Sequence, residues 1–371
     1  MNARLLLVLL ALSLTSPVLA DLLDTARETH SDALFVTVGG KVAIDWSSTA
    51  EPQLIDTMSV TKSVVALAIG RLVTLGRIRS LDEHVATWFP EWKQGHKRDI
   101  TLRQLLNHTS GLQNDANAEA EVYPAPDAVQ LALAAELSSQ PGAEFSYNNK
   151  AVNLLTGIIE RASGRPADGF MRDELLAPIG ITRFEWDRDR AGRPYAMSGL
   201  KLTARDLARI GQLVLDRGMC GGTRLIDETF IDAMIAQAQP HYPLSGLLWW
   251  RQPATQSLTL KADAPVLASL RGRTFASRRD VRTAVAALLG NDYDATLAAR
   301  FGAQWLDSLF RWDIGPIVAY YGDGYLGQFL VIVPSKRIVA VRQITHASYK
   351  NSADTFAAFP AAIAAWANGA G

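Results

Sequence analysis

Between Val64 and Leu75 the chain reads Val-Val-Ala-Leu-Ala-Ile-Gly-Arg-Leu-Val-Thr-Leu, apolar at almost every position. A run like this has no polar stripe to turn toward water, so it predicts a helix buried on most of its surface. Such a helix needs material packed on nearly all sides, which places it at the centre of the fold. Just ahead of it lie Ser59 and Lys62, three residues apart and therefore on one face. Lys62 is oddly placed. A cation in the first turn meets the positive end of the helix dipole, at roughly 0.3–1 kcal/mol. Burial disfavours the charge further and lowers the pKa. A lysine driven toward neutrality beside a hydroxyl is what an activated serine nucleophile requires. To serve as a base near pH 7, Lys62 must drop from a pKa of ~10.4 by about 3, roughly 4 kcal/mol. The dipole is too weak for that, so burial or a polar network around Tyr147 and Asn149 has to supply the rest.

β-rich runs stand at the two ends of the chain. Ala33–Val38 and Lys41–Trp46 are joined at Gly39-Gly40, a hairpin signal. Leu247–Arg251, Ile317–Tyr321, Gln328–Val333 and Ile338–Ile344 are strand candidates toward the other end. From Leu81 to about Leu200 the pattern is helical. Thr101 caps Leu102–Asn107, helices are expected at Ala128–Leu137 and Ala151–Ala162, and Thr203 caps Arg205–Leu215. Further helices are expected at Leu22–His30 and Pro360–Trp366. The simplest packing is a fold of α/β content, α+β in type: one antiparallel sheet built from both chain ends, flanked by helices, with an all-helical unit inserted. Residues 21–65 and 201–371 would form the sheet unit and 66–200 the helical one. Residues 252–310, with helices expected at Arg279–Leu289 and Thr296–Phe310, read either as a surface insertion or as a lid beside the active site.

Arg4, the apolar Leu5–Leu14 and the small-residue pattern Val18-Leu19-Ala20 predict a cleavable signal segment over residues 1–20. The protein is then expected to be exported, periplasmic or secreted, with no membrane span after cleavage. Lys+Arg and Asp+Glu number 37 each, which gives no electrostatic reason to expect nucleic acid as a partner. The lone Cys220 excludes an internal disulfide and sits in a turn-like loop. Six histidines at 30, 84, 96, 108, 241 and 346 form no ligand-like spacing, so no metal is expected. No Gly-rich phosphate loop follows a strand, and no cofactor is expected.

Ser-x-x-Lys by itself carries little weight, and a second copy occurs at Ser198–Lys201, read as a surface loop because no apolar run follows to bury it. No Gly-x-Ser-x-Gly is present, against a nucleophile elbow. His108 and His346 read as loop-ordering groups. Tyr147-Asn148-Asn149, after Pro141-Gly142 and before a helix, offers a phenol and an amide, with Asn148 or Asn149 as helix cap. Gly322-Asp323-Gly324-Tyr325-Leu326-Gly327-Gln328 precedes a strand, and its glycines allow a ligand close to the backbone. An N–H there could face that of Ser59 and complete an oxyanion hole.

In this order the motifs resemble the serine β-lactamase and penicillin-binding-protein family, in its class C β-lactamase-like branch of esterases and 6-aminohexanoate-dimer hydrolases. Ser59-Val60-Thr61-Lys62, Phe89-Pro90-Glu91-Trp92, Ile100–Leu106, His108-Thr109-Ser110-Gly111-Leu112, Phe145–Asn149 and Thr203–Ala208 carry the resemblance. It implies the β-lactamase-like fold, with the site between sheet and helical unit. It also implies roles. Ser59 attacks a carbonyl, Lys62 and Tyr147 share proton transfer, and Asn149 holds Lys62 and substrate in register. The oxyanion lies between the N–H groups of Ser59 and Tyr325, with Gly324 and Leu326 as substrate contacts. Penicillin-recognising members carry Lys or His in the third motif, whereas this chain has Gly322-Asp323-Gly324, and Asp323 repels a carboxylate. Arg342 or an arginine of residues 252–310 stands as a replacement carboxylate partner. The expected activity is hydrolysis of a small ester or amide. The alternatives are a β-lactamase or D-alanyl-D-alanine carboxypeptidase acting on penicillins or cell-wall peptides, and a non-catalytic covalent sensor or binding protein of the same fold.

Overall fold

Strands β1 (Ala33–Val38) and β2 (Lys41–Ser47) form the expected hairpin, with both Gly39 and Gly40 at positive φ. The rest of the central sheet comes from the far end of the chain: β3 (Trp250–Pro253), β4 (Ile317–Gly324), β5 (Gln328–Val333) and β6 (Ile338–Gln343). The order is β2-β1-β6-β5-β4-β3, with every neighbouring pair antiparallel. Strands β5 and β6 are buried at every position, because helices cover both faces. Leu330, Ile332, Val339 and Val341 pack into the main core with the helices Val60–Thr74 and Ala204–Leu215. Phe329, Val331, Val333 and Ala340 meet the terminal helices Pro17–Glu28 and Phe359–Ala367. This is the β-lactamase-like architecture expected from the motif order.

The computed structural model describes residues 17–115, 117–261, 265–302 and 305–369. Most of the expected signal segment, residues 1–16, lies outside the described residues. The position expected for cleavage, after Ala20, falls within the Pro17–Glu28 helix, whose Leu19 and Leu22 pack against the sheet. Among the described residues no helix is long and apolar enough to cross a membrane.

Several expected elements are corrected. The helical unit is not purely helical. Glu185–Trp186 pairs with Leu200–Leu202, which pairs with Ile55–Asp56, so a small sheet stitches it to the segment before Ser59. The helix expected at Ala151–Ala162 is two, Asn149–Val152 and Leu154–Ser163, broken at Asn153. The strand expected at Leu247–Arg251 begins only at Trp250, because Leu248 is in the left-handed region and its carbonyl accepts from Ser63 Oγ at 2.7 Å. The helix expected at Thr296–Phe310 divides into Tyr293–Phe301, Trp305–Leu309 and a strand, Phe310–Ile314.

That strand explains how the insertion is attached. It pairs with Gln256–Leu260, and the ladder of β3 and β4 runs on into this pair through Ala254 N–H to Pro316 O and Gly315 N–H to Thr255 O. The insertion is therefore the tip of one long hairpin that projects from the sheet edge. It carries its own apolar core, including Leu258, Phe275, Val281, Leu297, Trp305 and Phe310.

Candidate active site

Ser59 stands at the N-cap of the Val60–Thr74 helix but does not cap it. Its backbone is already helical, at φ −69° and ψ −8°, and its side chain makes no capping bond. The residue before it, Met58, is bent into the left-handed region at φ 48°. A side chain in that conformation costs of order 1–3 kcal/mol. The bend is held by Asp56 Oδ1, which accepts from Met58 N–H at 2.7 Å, and by packing of Met58 against Leu326 and Ile344. The result turns the Ser59 hydroxyl away from its own helix and toward Lys62.

Lys62 Nζ donates to Ser59 Oγ at 2.8 Å and to the Met197 carbonyl at 2.7 Å. The residue is 2% exposed, and burial pushes its pKa down from 10.5 to about 7, with Asp323 opposing the fall. An uncharged amine is therefore accessible near neutral pH. Tyr147 shares a hydrogen bond with the Ser59 side chain, and burial holds its phenol well above the usual range, with that bond working in the other direction. Its ring lies 5.0 Å from Lys62 Nζ and 4.7 Å from the His108 ring. His108 is buried and accepts from Asn148 N–H through Nδ1 at 3.2 Å. Burial and the nearby Lys62 lower its pKa to about 3, so it is neutral at ordinary pH. It orders the Tyr147 turn.

The third motif lies against the first. A Cβ on Gly322 would fall 2.8 Å from Val60 Cγ1 and 3.1 Å from Ser63 Oγ, and one on Gly324 would fall 2.6 Å from the Thr57 carbonyl. Only glycine lets the end of β4 approach the Ser59 turn this closely. Tyr325 follows Gly324 and is 69% exposed. Leu326 is buried at φ 67°. Its side chain packs with Met58 and Ile344.

Two further expectations are corrected by geometry. Lys62 is held by Ser59 and the Met197 carbonyl, not by Asn149, whose backbone carbonyl accepts from Asn153 Nδ2. Arg342 cannot meet a substrate carboxylate. It is fully buried, and its guanidinium donates to the carbonyls of Leu326, Gly327, Thr29 and Asp354 and to Ser31 Oγ. Arg342 fixes the turn after Tyr325 instead.

Other residues complete the site, and Asn153, Met197 and Trp250 among them carried no sequence signal. Ser198 does not lie in a surface loop as expected. It is buried, bonded to Tyr123 Oη at 2.7 Å, and next to the carbonyl that anchors Lys62. Its apparent partner Lys201 points to Asp187. Asn153 fixes the same segment, accepting from Ala196 N–H at 2.9 Å and Met197 N–H at 3.4 Å. Asn148 caps its helix through Ala151 N–H, one of the two caps expected there. Trp250 stacks on Tyr147 with ring centroids 6.2 Å apart. It begins an aromatic wall that continues through Tyr242 to Trp312 of the insertion, with the Arg278 guanidinium 4.4 Å above Tyr242 and paired with Asp307. Ser59, Lys62, His108, Tyr147, Trp250 and Asp323 line a common pocket of about 10 Å³, the room of about one water.

Comparison with known proteins adds a family. The model of the Beta-lactamase family matches residues 19–359. Esterase EstB of Burkholderia gladioli is 31% identical over 150 residues, covering 35% of this chain and 38% of that protein. The chain spans about a quarter to two fifths of the length of the curated relatives it matches, 26% to 38%. A Bacillus anthracis structure named for 6-aminohexanoate-dimer hydrolase superposes with a TM-score of 0.66 at 19% identity, covering 95% of this chain and 81% of that one. An octameric penicillin-binding protein homologue from Pyrococcus abyssi gives 0.59 at 19% identity, covering 92% and 76%. Structural likeness at such identities shows a shared fold.

Proposed function

Since the chain belongs to the beta-lactamase family, we propose that it is a serine hydrolase that cleaves a small ester or amide through an acyl-enzyme on Ser59. The observation that carries this reading is the 2.8 Å contact between Ser59 Oγ and a buried Lys62 with a pKa of about 7. In its uncharged form the lysine takes the hydroxyl proton as Oγ bonds to the carbonyl carbon. The carbonyl electrons move onto oxygen, where the N–H groups of Ser59 and Tyr325 receive them, each donor contributing about 2.7–4 kcal/mol. Tyr147 remains a phenol at neutral pH, which suits it to donate. It protonates the leaving group and recovers a proton from the Lys62 ammonium. Water then repeats the sequence in reverse on the acyl-enzyme.

Small esters and amides are favoured over β-lactams because Asp323 lines the pocket where a penicillin carboxylate would need a cation. Intact-mass and peptide mass spectrometry after a fluorophosphonate probe tests the nucleophile. One adduct on Ser59, lost in Ser59→Ala, is expected, and a label on Ser198 would refute the assignment. Turnover of p-nitrophenyl esters well above that of benzylpenicillin is expected. Acylation without turnover would favour the covalent-sensor alternative.

A further inference from the structure

We propose that Asp323 seats a positively charged group, so that the ester or amide cleaved at Ser59 is an amine-bearing one. This deepens the hydrolase reading and rests on it. Asp323 lies in β4 two residues before Tyr325, and its side chain is open to the cleft. It lines the same pocket as Ser59, Lys62, Tyr147 and Trp250. Among the described residues its carboxylate has neither a hydrogen bond nor an ion pair, and the cation it feels is Lys62. That ammonium is committed to Ser59 and Met197, and it must shed its charge before it can act as a base. The carboxylate is thus left without a counterion at the moment the site is competent.

The surroundings exclude an anionic ligand and suit a cationic one. Arg342 is consumed in its turn and Arg278 is paired with Asp307. His108 is uncharged, so no free cation lines the pocket among the described residues. Around Asp323 stand aromatic groups. Its charge is felt by Tyr147, Tyr242 and Tyr321, and Trp250 stacks beside Tyr147. A carboxylate that lines one pocket with Tyr147 and Trp250 offers an ammonium group both a charge partner and rings for cation–π attraction. Burial raises the Asp323 pKa to about 6 against the pull of Lys62, and the carboxyl still ionises below neutral pH. A primary ammonium of the amino-acyl or amino-alcohol type is compact enough for so narrow a pocket.

The test has a binding arm and a turnover arm. Benzylamine, benzyl alcohol and benzoate are titrated against the full chain with tryptophan fluorescence as readout. Benzylamine should bind at least about tenfold more tightly than benzyl alcohol, with benzoate weaker still. In parallel, the p-nitrophenyl esters of β-alanine, propionate and succinate, and the benzoyl esters of 2-aminoethanol and ethanol, are compared by kcat/KM. A cationic member should lead in at least one series. In Asp323→Asn and Asp323→Ser, both expected to melt near the wild type, the amine-to-neutral ratio should fall to near one. Equal binding of the three ligands, a preference for anions, or an amine preference that survives both substitutions would overturn the inference. Binding needs no catalysis, so failure of the hydrolase reading would be seen separately, as an unlabelled Ser59 beside intact amine binding.

Discussion

Lys62 is held where both the helix dipole and the apolar core oppose its charge. Its pKa falls from 10.5 to about 7, which corresponds to roughly 5 kcal/mol at about 1.36 kcal/mol per tenfold change in proton affinity. The sign follows from proton linkage. Between about pH 7 and 10.5 the unfolded chain holds the lysine proton more firmly than the folded one. Stability therefore rises with pH across that window, and the full penalty stands below it. Lys62→Met removes the penalty and leaves the Met197 carbonyl without its donor, a loss of about 1–3 kcal/mol. The variant should acylate orders of magnitude more slowly yet melt a few degrees higher at pH 6, with the gap narrowing toward pH 10. Calorimetry across this range checks it, and a lower melting point at pH 6 would refute it. The acid limb of ester hydrolysis should lie near pH 7. Because Asp323 holds the Lys62 pKa up, Asp323→Asn should move that limb to lower pH with a neutral ester.

At the scale of elements, the site is a meeting of a helix start, a strand end and a turn. The Val60–Thr74 helix presents Ser59 because Met58 is bent out of register with it. Strand β4 reaches that turn because Gly322 and Gly324 carry no side chain. Gly324→Ala places a methyl 2.6 Å from the Thr57 carbonyl, a backbone atom with no room to yield. The strand end must then withdraw, and with it the Tyr325 N–H. Losing one oxyanion donor lowers kcat by about 10²–10³, while the KM for a small ester should change little. A variant with normal kcat would place the second donor elsewhere. The Ser-Val-Thr-Lys and Tyr-Asn-Asn motifs were legible from spacing because they lie on helix starts, where local sequence sets the geometry. Asn153, Met197 and Trp250 were not legible. Asn153 holds a distant backbone segment through its side-chain oxygen, Met197 acts through its carbonyl and Trp250 through its ring, with no local pattern to mark them.

At the scale of the whole molecule, the sheet draws the two chain ends together, and the insertion hangs from it as a hairpin tip with a separate core. That attachment makes removal feasible. The β3–β4 ladder closes at Ala254 and Pro316, so Gln256–Ile314 can be replaced by an Asn-Gly turn, which suits a two-residue hairpin. The shortened chain should keep the cooperative melting of the main core and still be labelled at Ser59. It should lose discrimination among leaving groups, because Trp312 completes the aromatic wall behind Tyr242. Loss of labelling together with retained folding would show that the lobe shapes the nucleophile itself. Between this lobe and Ala143–Phe145 lies a cleft of about 460 Å³.

The sequence by itself determined the buried helix, the hairpin at Gly39-Gly40 and the ends-together sheet. These follow from local conformational preference and apolar periodicity, which the chain carries along its length. It also marked Ser59, Lys62 and Tyr147, because the candidate chemistry sits at helix starts. Only the tertiary structure decided how Lys62 is held, that Arg342 braces a turn, and that Asp323 faces the Ser59 pocket without a partner. Those outcomes depend on which distant groups fill the space around a charge, and burial is a property of the packed molecule.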